Sequence, residues 1–175
     1  VGIFEAGISK TGEMKNLEKV IRPEIGILTN IGPAHSAGFS SEIEKIAEKF
    51  LLFSNCKLII IPLNNPSVLS QLKKKGNAMQ SLITWSLENS KTPLYSGKNL
   101  LFHFQVIKTQ ILANGAILSG RINSHSPLEI EYKIPFSDPA SIENSITCFC
   151  CMYYLNMPLQ EIYIRMGNLQ RVEMR

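Results

Sequence analysis

The chain has 175 residues, of which 45% are hydrophobic and 18% are charged, and its formal net charge is +4. This composition is typical of a folded globular protein with one sizeable core, and it argues against a disordered chain. The dense basic run Lys73-Lys-Lys75 has no aromatic residues among the lysines, so it is a poor match to a nucleic-acid-binding patch. Its position just before Gly76 is typical of a solvated helix C-terminus.

The four cysteines, Cys56, Cys148, Cys150 and Cys151, lack the spacing of metal ligands. We expect them to be buried, reduced thiols in a cytoplasmic protein. The sequence shows neither a signal peptide nor an apolar run of about 18 residues, so it predicts neither export nor a membrane span. Because the chain opens inside a predicted strand without a methionine, we expect it to be a piece of a longer protein.

The first half of the chain alternates between short apolar runs and helical patterns. Strands are predicted at 1–6, 25–28, 57–62 and 82–86, and helices at 12–21, 39–53 and 66–75. In the second of these helices, Ser41 followed by Glu44 predicts a capping box. Its predicted core stripe consists of residues at helical spacing: Ile43, Ile46, Ala47, Phe50 and Leu51. This alternation predicts a parallel sheet with helices on its faces.

The second half begins with strand patterns that have no helices between them. Strands are predicted at 99–108, 110–118 and 127–134, with turn signals at Asn114-Gly115 and Asn123-Ser124. They predict a small antiparallel sheet over 99–134. Asp138 as N-cap and Pro139 at the first helical position then begin a helix. Its predicted buried face is Ile142, Ile146, Phe149, Cys150 and Tyr153, and a last helix is predicted at 158–166.

Polar side chains follow two of the predicted parallel strands. Glu5 ends the first strand, and Asn30 and His35 follow the second, with a helical crossover between the two. Right-handed crossovers make such strands parallel, so we expect the three side chains at one edge of the sheet. The carboxyl ends of the strands in open α/β sheets are where ligands bind. A carboxylate, an amide and an imidazole at that edge predict a functional site.

Several blocks of the sequence resemble the central domain of the ATP-dependent Mur ligase family. They lie in the family's order and cover essentially the whole chain: Phe4-Glu-Ala-Gly-Ile-Ser9 with Gly12-Glu-Met14, Thr29-Asn-Ile-Gly-Pro-Ala-His35, Glu48-Lys-Phe-Leu-Leu-Phe53, Ile134-Pro-Phe-Ser-Asp-Pro-Ala-Ser-Ile-Glu-Asn144 and Glu173-Met-Arg175. The resemblance implies an α/β fold in which residues 1–175 form a partial central, ATP-binding domain. The wording is most similar to Mur ligases of the kind fused to an alanine racemase.

The resemblance also implies a reaction and its participants. ATP would phosphorylate the carboxylate of UDP-N-acetylmuramoyl-tripeptide, and the amine of D-alanyl-D-alanine would attack the acyl phosphate. This chemistry depends on positioning and on neutralising phosphate charge, chiefly with Mg²⁺. A racemase domain would add pyridoxal phosphate as a further cofactor of the longer protein. Neither a nucleic acid nor a membrane is expected as a partner.

Individual residues take roles from the same resemblance. Glu5 and His35 would bind Mg²⁺, and Asn30 would lie near the γ-phosphate. Lys49 would be carbamylated, which gives it oxygen atoms that bind the metal. The nucleotide contacts come from two further positions, with Asn144 at the adenine and Arg175 at the junction to the next domain.

Two departures from the family pattern bear on these roles. The glycine-rich phosphate loop ending in Gly-Lys-Thr/Ser is absent, and Asp138-Pro-Ala-Ser141 stands where Gly-x-His-Asn is usual. Without the loop, the triphosphate has no cradle of backbone N–H groups and no lysine. We therefore expect the 175-residue chain to be inactive by itself.

Other interpretations of the residues stay open. Glu5 can be a strand-end carboxylate paired with a lysine, and His35 a loop histidine bonded to backbone. Lys49 can be a solvated helix lysine, and Lys45, one turn away, is as plausible on composition. The chain can also be a folylpolyglutamate synthase-like ligase, or a non-catalytic interaction domain of the same fold.

The opening strands of the predicted sheet leave an exposed edge. Whatever the function, we expect the strand at 1–6, or its neighbour at 25–28, to form this edge and either to pair with a second copy or to be covered by local rearrangement.

Overall fold

The structure is a computed structural model that describes residues 2–31, 38–74, 80–88, 90 and 95–170. These residues form five helices and one six-stranded sheet, whose strands lie side by side in chain order. The strands are β1 Ile25–Ile27, β2 Leu58–Pro62, β3 Ser81–Ser86, β4 Leu100–Leu112, β5 Gly115–Asn123 and β6 Leu128–Ile134. The helices are α1 Glu13–Ile21, α2 Glu42–Leu51, α3 Pro66–Lys74, α4 Pro139–Tyr154 and α5 Leu159–Gly167. None of these helices is long and apolar enough to cross a membrane.

The first four strands pair in parallel. The alternating pattern predicted this for β1, β2 and β3, whereas the parallel pairing of β4 with β3 was not predicted. Every residue of β2 is buried. Leu58 and Ile60 pack into one core cluster, whereas Ile59 and Ile61 pack into another on the opposite face. Burial on both faces explains why this strand is an unbroken apolar run.

The antiparallel region is confirmed, and it continues the same sheet. β4 pairs in parallel with β3 on one side and antiparallel with β5 on the other, and β6 completes the sheet. The predicted strand at 110–118 is wrong, because residues 110–112 end β4 and residues 115–118 begin β5. Ala113 and Asn114 form the turn between them, and Gly115, the first residue of β5, has φ 133°, a conformation that glycine adopts without steric cost.

Helices cover both faces of the sheet. α2 and α3 contribute to the core on one face, and α4 and α5 contribute to the core on the other. Phe149 of α4 is fully buried and stacks on Tyr132 of β6, with ring centroids 5.1 Å apart. Asp138 caps α4 as predicted, since its carboxylate accepts a hydrogen bond from the Ser141 N–H at 2.9 Å.

The predicted strand at 1–6 does not form. Residues 2–8 have no regular secondary structure, and the side chains of Ile3 and Phe4 are 97% and 68% exposed. β1 is therefore the terminal strand of the sheet that the described residues form. An apolar, strand-like sequence adopts a strand only beside a neighbour that pairs with its backbone, and no such neighbour lies beside these residues in the described structure.

Helix α2 begins as predicted but buries a different face. The Ser41 hydroxyl accepts the Glu44 N–H at 3.2 Å, although the Glu44 carboxylate bonds to Ser40 rather than back to Ser41. Ile43 is 52% exposed and Leu51 is 37% exposed, so the predicted stripe is wrong at both ends. Its other large members, Ile46 and Phe50, are buried, together with Lys45 and Glu48. The contact with α1 explains the change, because it brings a polar side chain of α2 into a buried position.

The cysteines are free thiols. Cys148, Cys150 and Cys151 all lie in α4, as the helical pattern indicated. Cys56 and Cys150 are buried, whereas Cys148 is exposed, so the expectation of burial fails there. Burial raises the pKa of the Cys150 thiol and keeps it protonated at neutral pH.

Candidate functional site

Glu5 is exposed and belongs to the irregular segment 2–8, so the prediction that it ends a strand is wrong. Hydrogen bonds link the chain that follows it to helix α1. The Glu13 carboxylate accepts hydrogen bonds from the Ser9 N–H at 2.7 Å and the Lys10 N–H at 3.2 Å. These backbone bonds, chiefly the one from Ser9, lower the pKa of Glu13. The loop that follows Glu5 is thus bonded to Glu13 in the first turn of α1.

Asn30 lies three residues beyond β1 and is exposed. It therefore follows the carboxyl end of a parallel strand, at the edge where the sequence placed it. His35 falls in 32–37 and Arg175 in 171–175, both outside the described residues. Their predicted roles remain predictions.

A tight contact joins the loop after Glu5 to the chain just beyond His35. A Cβ atom built on Gly38 would lie 1.9 Å from the carbonyl oxygen of Ser9 and 3.5 Å from the Cα of Lys10. Only a residue without a side chain allows the two backbones to approach this closely. The backbone at Ser9, which follows Glu5 in the sequence, therefore lies against the backbone at Gly38, which follows His35 in the sequence.

A second contact fixes α1 against α2. Gly12, at the N-cap of α1, has φ 89° and supplies no side-chain cap. Instead, Glu48 of α2 accepts the Gly12 N–H at 2.8 Å and the Met14 N–H at 3.1 Å on the same carboxylate oxygen. Glu48 is only 7% exposed. The N-terminus of one helix is therefore capped by the carboxylate of the next helix along the chain.

Lys49 follows Glu48 directly and is half-buried. Burial lowers the pKa of its ammonium group, and the positive charge of Lys45 lowers it further. Lys45 itself is 5% exposed, which is unusual for a lysine. Because Lys49 is half-buried, it is not the fully solvated helix lysine of the alternative interpretation. A lowered pKa makes the neutral amine of Lys49 more accessible than that of an ordinary surface lysine.

Asn144 is exposed and lies in the N-terminal half of α4. Because α4 and α2 pack on opposite faces of the sheet, Asn144 and Lys49 belong to different layers of the fold. The structure therefore joins the loop that follows Glu5 to Gly38 and, through the start of α1, to the helix of Lys49, whereas Asn144 lies in a different layer of the fold.

Two of the predicted site residues carry oxygen donors, which suit a hard cation. Glu5 offers a carboxylate and Asn30 an amide, and both side chains are exposed. Mg²⁺ commonly keeps several waters and takes only one or two protein carboxylates in addition to substrate phosphates. The described residues contain no group of three His, Cys, Asp or Glu side chains arranged for a metal. The carboxylate of Glu5 and the amide of Asn30 therefore fit a hydrated Mg²⁺ that is held mainly by phosphate.

Asn64 and Asn65, which follow β2, make hydrogen bonds that stabilise the fold. Asn64 accepts the Leu87 N–H at 3.0 Å and so ties the end of β2 to the chain that follows β3. Asn65 accepts the Ser67 N–H at 2.8 Å at the start of α3. These bonds account for both side chains without a ligand.

Sequence reasoning missed two buried polar groups. His103, to which it gave no role, bridges Thr84 and Ser86: Nδ1 lies 2.7 Å from Thr84 Oγ1, and Nε2 lies 3.0 Å from Ser86 Oγ. Glu48 was part of a recognised block but had no assigned role. The signal for Glu48 was that α1 starts at Gly12 without an N-cap side chain of its own, so a cap has to come from elsewhere. No pattern in the sequence pairs His103 with residues of another strand.

Comparison with known proteins yields one family. The model of the Mur ligase middle domain matches residues 1–152. The UDP-N-acetylmuramoyl-tripeptide–D-alanyl-D-alanine ligase of Buchnera aphidicola is 25% identical over 167 residues, which are 93% of this chain and 33% of that protein. The ligase of the same name from Borreliella burgdorferi is 26% identical over 164 residues, 91% of this chain and 31% of that protein. The chain thus spans about a third of the length of these relatives.

Solved structures show the same fold. MurF from Acinetobacter baumannii matches with a TM-score of 0.70 at 14% identity, over 95% of this chain and 34% of that one. A pseudomurein peptide ligase type C from Methanothermus fervidus matches with a TM-score of 0.62, also at 14% identity, over 94% of this chain and 38% of that one. At this level of identity the likeness establishes the architecture alone.

Proposed function

Because the chain belongs to the Mur ligase family, whose middle domain it carries, we propose that it is the nucleotide-handling part of an ATP-dependent ligase of peptidoglycan precursor synthesis. The related ligases from Buchnera and Borreliella support this class, since their names specify a tripeptide precursor and D-alanyl-D-alanine. The proposed reaction of the whole protein joins D-alanyl-D-alanine to UDP-N-acetylmuramoyl-tripeptide. The proposal includes an alanine racemase domain, with its pyridoxal phosphate, in the same polypeptide.

The observation that carries the proposal is the pair of contacts that unites three separate segments. Ser9 touches Gly38, and Glu48 caps α1 at Gly12. These contacts join the loop of Glu5, the chain just after His35 and the helix of Lys49. They support the proposal because the loop that follows Glu5 and the helix of Lys49 are joined through the start of α1, although residues 5 and 49 are far apart in sequence. His35 lies outside the described residues.

Each residue then has a proposed role. When bound, ATP supplies the phosphoryl group that activates the peptide carboxylate, and Mg²⁺ neutralises the charge of the phosphates. Glu5 and His35 hold the cation, and Asn30 orients the terminal phosphate from the end of β1. Lys49, whose pKa is lowered by burial and by Lys45, adds CO₂ through its neutral amine, releases a proton to solvent and offers carbamate oxygens to the cation. Asn144 and Arg175 contact the nucleotide.

The 175-residue chain by itself should neither hydrolyse ATP nor form an amide bond. Its sequence contains no Gly-Lys-Thr/Ser phosphate loop, which in this class of site supplies the backbone N–H groups and the lysine for the triphosphate. Turnover by the purified chain above a buffer blank would contradict this expectation. A folylpolyglutamate synthase-like reaction and a non-catalytic role are the outcomes that the next experiment separates from the proposal.

The test is a pair of lysine variants in the whole protein that carries this chain. Lys49→Ala should lower the rate of ATP-dependent amide formation by about 100-fold or more, because it removes a metal-binding group that the reaction requires. Lys45→Ala, one turn away on α2, is the matched control and should lose much less. Raising bicarbonate should increase the wild-type rate, and short carboxylates should partly restore Lys49→Ala. Equal losses in both variants, or a fully active Lys49→Ala, would refute the role of Lys49. Glutamate in place of D-alanyl-D-alanine as the accepted amine would favour the folylpolyglutamate class, and no turnover at all would favour the non-catalytic one.

A further inference from the structure

We propose that Glu48 is a positioning residue that holds the loop of Glu5 and the helix of Lys49 in one rigid frame. This inference rests on the proposed function, because it assigns to Glu48 the geometry between two groups of the same cation site. The family resemblance assigned no role to this side chain. The assignment comes from its contacts alone.

The carboxylate is built into the start of α1. One oxygen of Glu48 accepts two N–H groups, from Gly12 at 2.8 Å and from Met14 at 3.1 Å. These are donors that an α-helix leaves unsatisfied in its first turn. The helix dipole adds a favourable interaction with the negative charge, and charge-assisted bonds of this kind are stronger than neutral ones. At 7% exposure, water cannot readily replace the carboxylate.

The two hydrogen bonds from Gly12 and Met14 to Glu48, here called the clamp, connect Lys49 to the loop that follows Glu5. On the α2 side, Glu48 and Lys49 are consecutive, so a shift of α2 that breaks the cap also moves Lys49. On the α1 side, Gly12 adjoins Glu13, whose carboxylate holds Ser9 and Lys10 in the loop that follows Glu5. Ser9 in turn lies against Gly38. A loosened Glu48 cap would therefore let Lys49 move relative to the start of α1 and to the loop that follows Glu5.

The first part of the experiment tests the clamp in the 175-residue chain. Glu48→Ala removes the oxygen that accepts both N–H groups, whereas Glu48→Gln keeps a carbonyl oxygen at the same reach. Amide hydrogen exchange at Gly12 and Met14 should accelerate about tenfold or more in Glu48→Ala and stay near wild type in Glu48→Gln. Glu42→Ala is the matched control, because it removes another carboxylate of α2 whose hydrogen-bond partner is Asn65, at the start of α3 rather than α1.

The second part measures catalysis in the whole protein. Displacing a reacting group by about 1 Å can cost about 100-fold in rate, so Glu48→Ala should lower kcat by about 10- to 100-fold. The KM for D-alanyl-D-alanine should stay within about threefold, since the clamp does not belong to that binding site. Glu48→Gln should restore most of kcat, and Glu42→Ala should match wild type. A residue needed only for folding would reduce the amount of folded enzyme without changing kcat per folded molecule.

The outcomes separate the inference from the proposed function. An active ligase whose Glu48→Ala variant exchanges Gly12 and Met14 rapidly yet keeps the wild-type kcat overturns the positioning role alone. A whole protein that forms no amide bond overturns the proposed function and the positioning role with it. If Glu48→Ala does not fold, Glu48→Asp takes its place, because its shorter side chain weakens the cap and should lower kcat in the same direction. Wild-type kcat in Glu48→Asp, with rapid exchange at the two amides, also overturns the positioning role.

Discussion

Acidification should destabilise this fold through one buried side chain, His103. The imidazole is 2% exposed and lies between the hydroxyls of Thr84 and Ser86 on the neighbouring strand. A neutral imidazole has one donor and one acceptor nitrogen, so it can complete both contacts, with one hydroxyl donating and the other accepting. Protonation would place a positive charge in the core between β3 and β4. Burial accordingly lowers the pKa of His103 from 6.5 to about 4.

The direction and size of the effect follow from proton linkage. Above about pH 6.5, His103 is neutral in both the folded and the unfolded chain, and its contribution to stability is complete. As the pH falls from 6.5 to about 4, the unfolded chain takes up a proton that the folded chain resists. Each pH unit in this window costs about 1.4 kcal/mol, so the total loss is about 3 kcal/mol. This is a large fraction of the roughly 5–15 kcal/mol that stabilises a typical domain.

The assay is urea unfolding of wild type and of His103→Gln at pH values between 7.5 and 4.5. Glutamine cannot titrate, so the wild-type free energy of unfolding should fall more steeply with decreasing pH than that of the variant. Carboxylates such as Glu13 and Glu44, whose pKa values are lowered by hydrogen bonds to Ser9 and Ser40, are present in both proteins. Their contribution is lost as the pH falls toward and below the carboxyl range, and it cancels in the difference.

A control variant and an NMR titration accompany the urea experiment. His125→Asn removes an exposed histidine and should keep the wild-type pH dependence of unfolding. If His103→Gln is too unstable to compare, an NMR titration of the wild-type imidazole reports its pKa directly. A titration midpoint near 6.5, or parallel pH profiles for wild type and His103→Gln, would show that the imidazole is not held neutral by burial.

Three further predictions concern packing and the sheet edge. Gly38→Ala should lower the free energy of unfolding by about 1–3 kcal/mol, because its Cβ would overlap the carbonyl of Ser9, whereas Gly7→Ala, with open space around it, should be near neutral in the same urea titration. Phe149→Ala should cost about 3–5 kcal/mol by emptying the centre of the α4 core, and a loss below about 1 kcal/mol in calorimetry would contradict that packing. The chain should self-associate through β1, and Ile27→Lys should weaken this, since a charged lysine discourages edge pairing; light scattering showing a wild-type monomer at all concentrations would exclude it.

Local signals in the sequence determined much of the fold. The alternation of apolar runs and helical patterns gave the parallel half, because strands buried on both faces have to be apolar throughout, as β2 is. Ser41 and Asp138 marked helix starts that the structure confirms, since capping involves only neighbouring residues. The turn signal at Asn114-Gly115 was recognised, but the strands on either side of it were misplaced.

Only the tertiary structure determines which strand-like segments pair with a neighbouring strand and which polar groups are buried. Residues 2–8 have a strand-like sequence, yet pairing requires a neighbour that no local pattern specifies. Glu48 sits in a charged helix pattern typical of a solvated face, and only the approach of α1, with its uncapped first turn, makes the carboxylate a buried acceptor. His103 acquires its partners because β3 and β4 pair in the register that sets Thr84 opposite it. These contacts join residues distant in the sequence, and a buried polar group is stable only where folding supplies its hydrogen-bond partner.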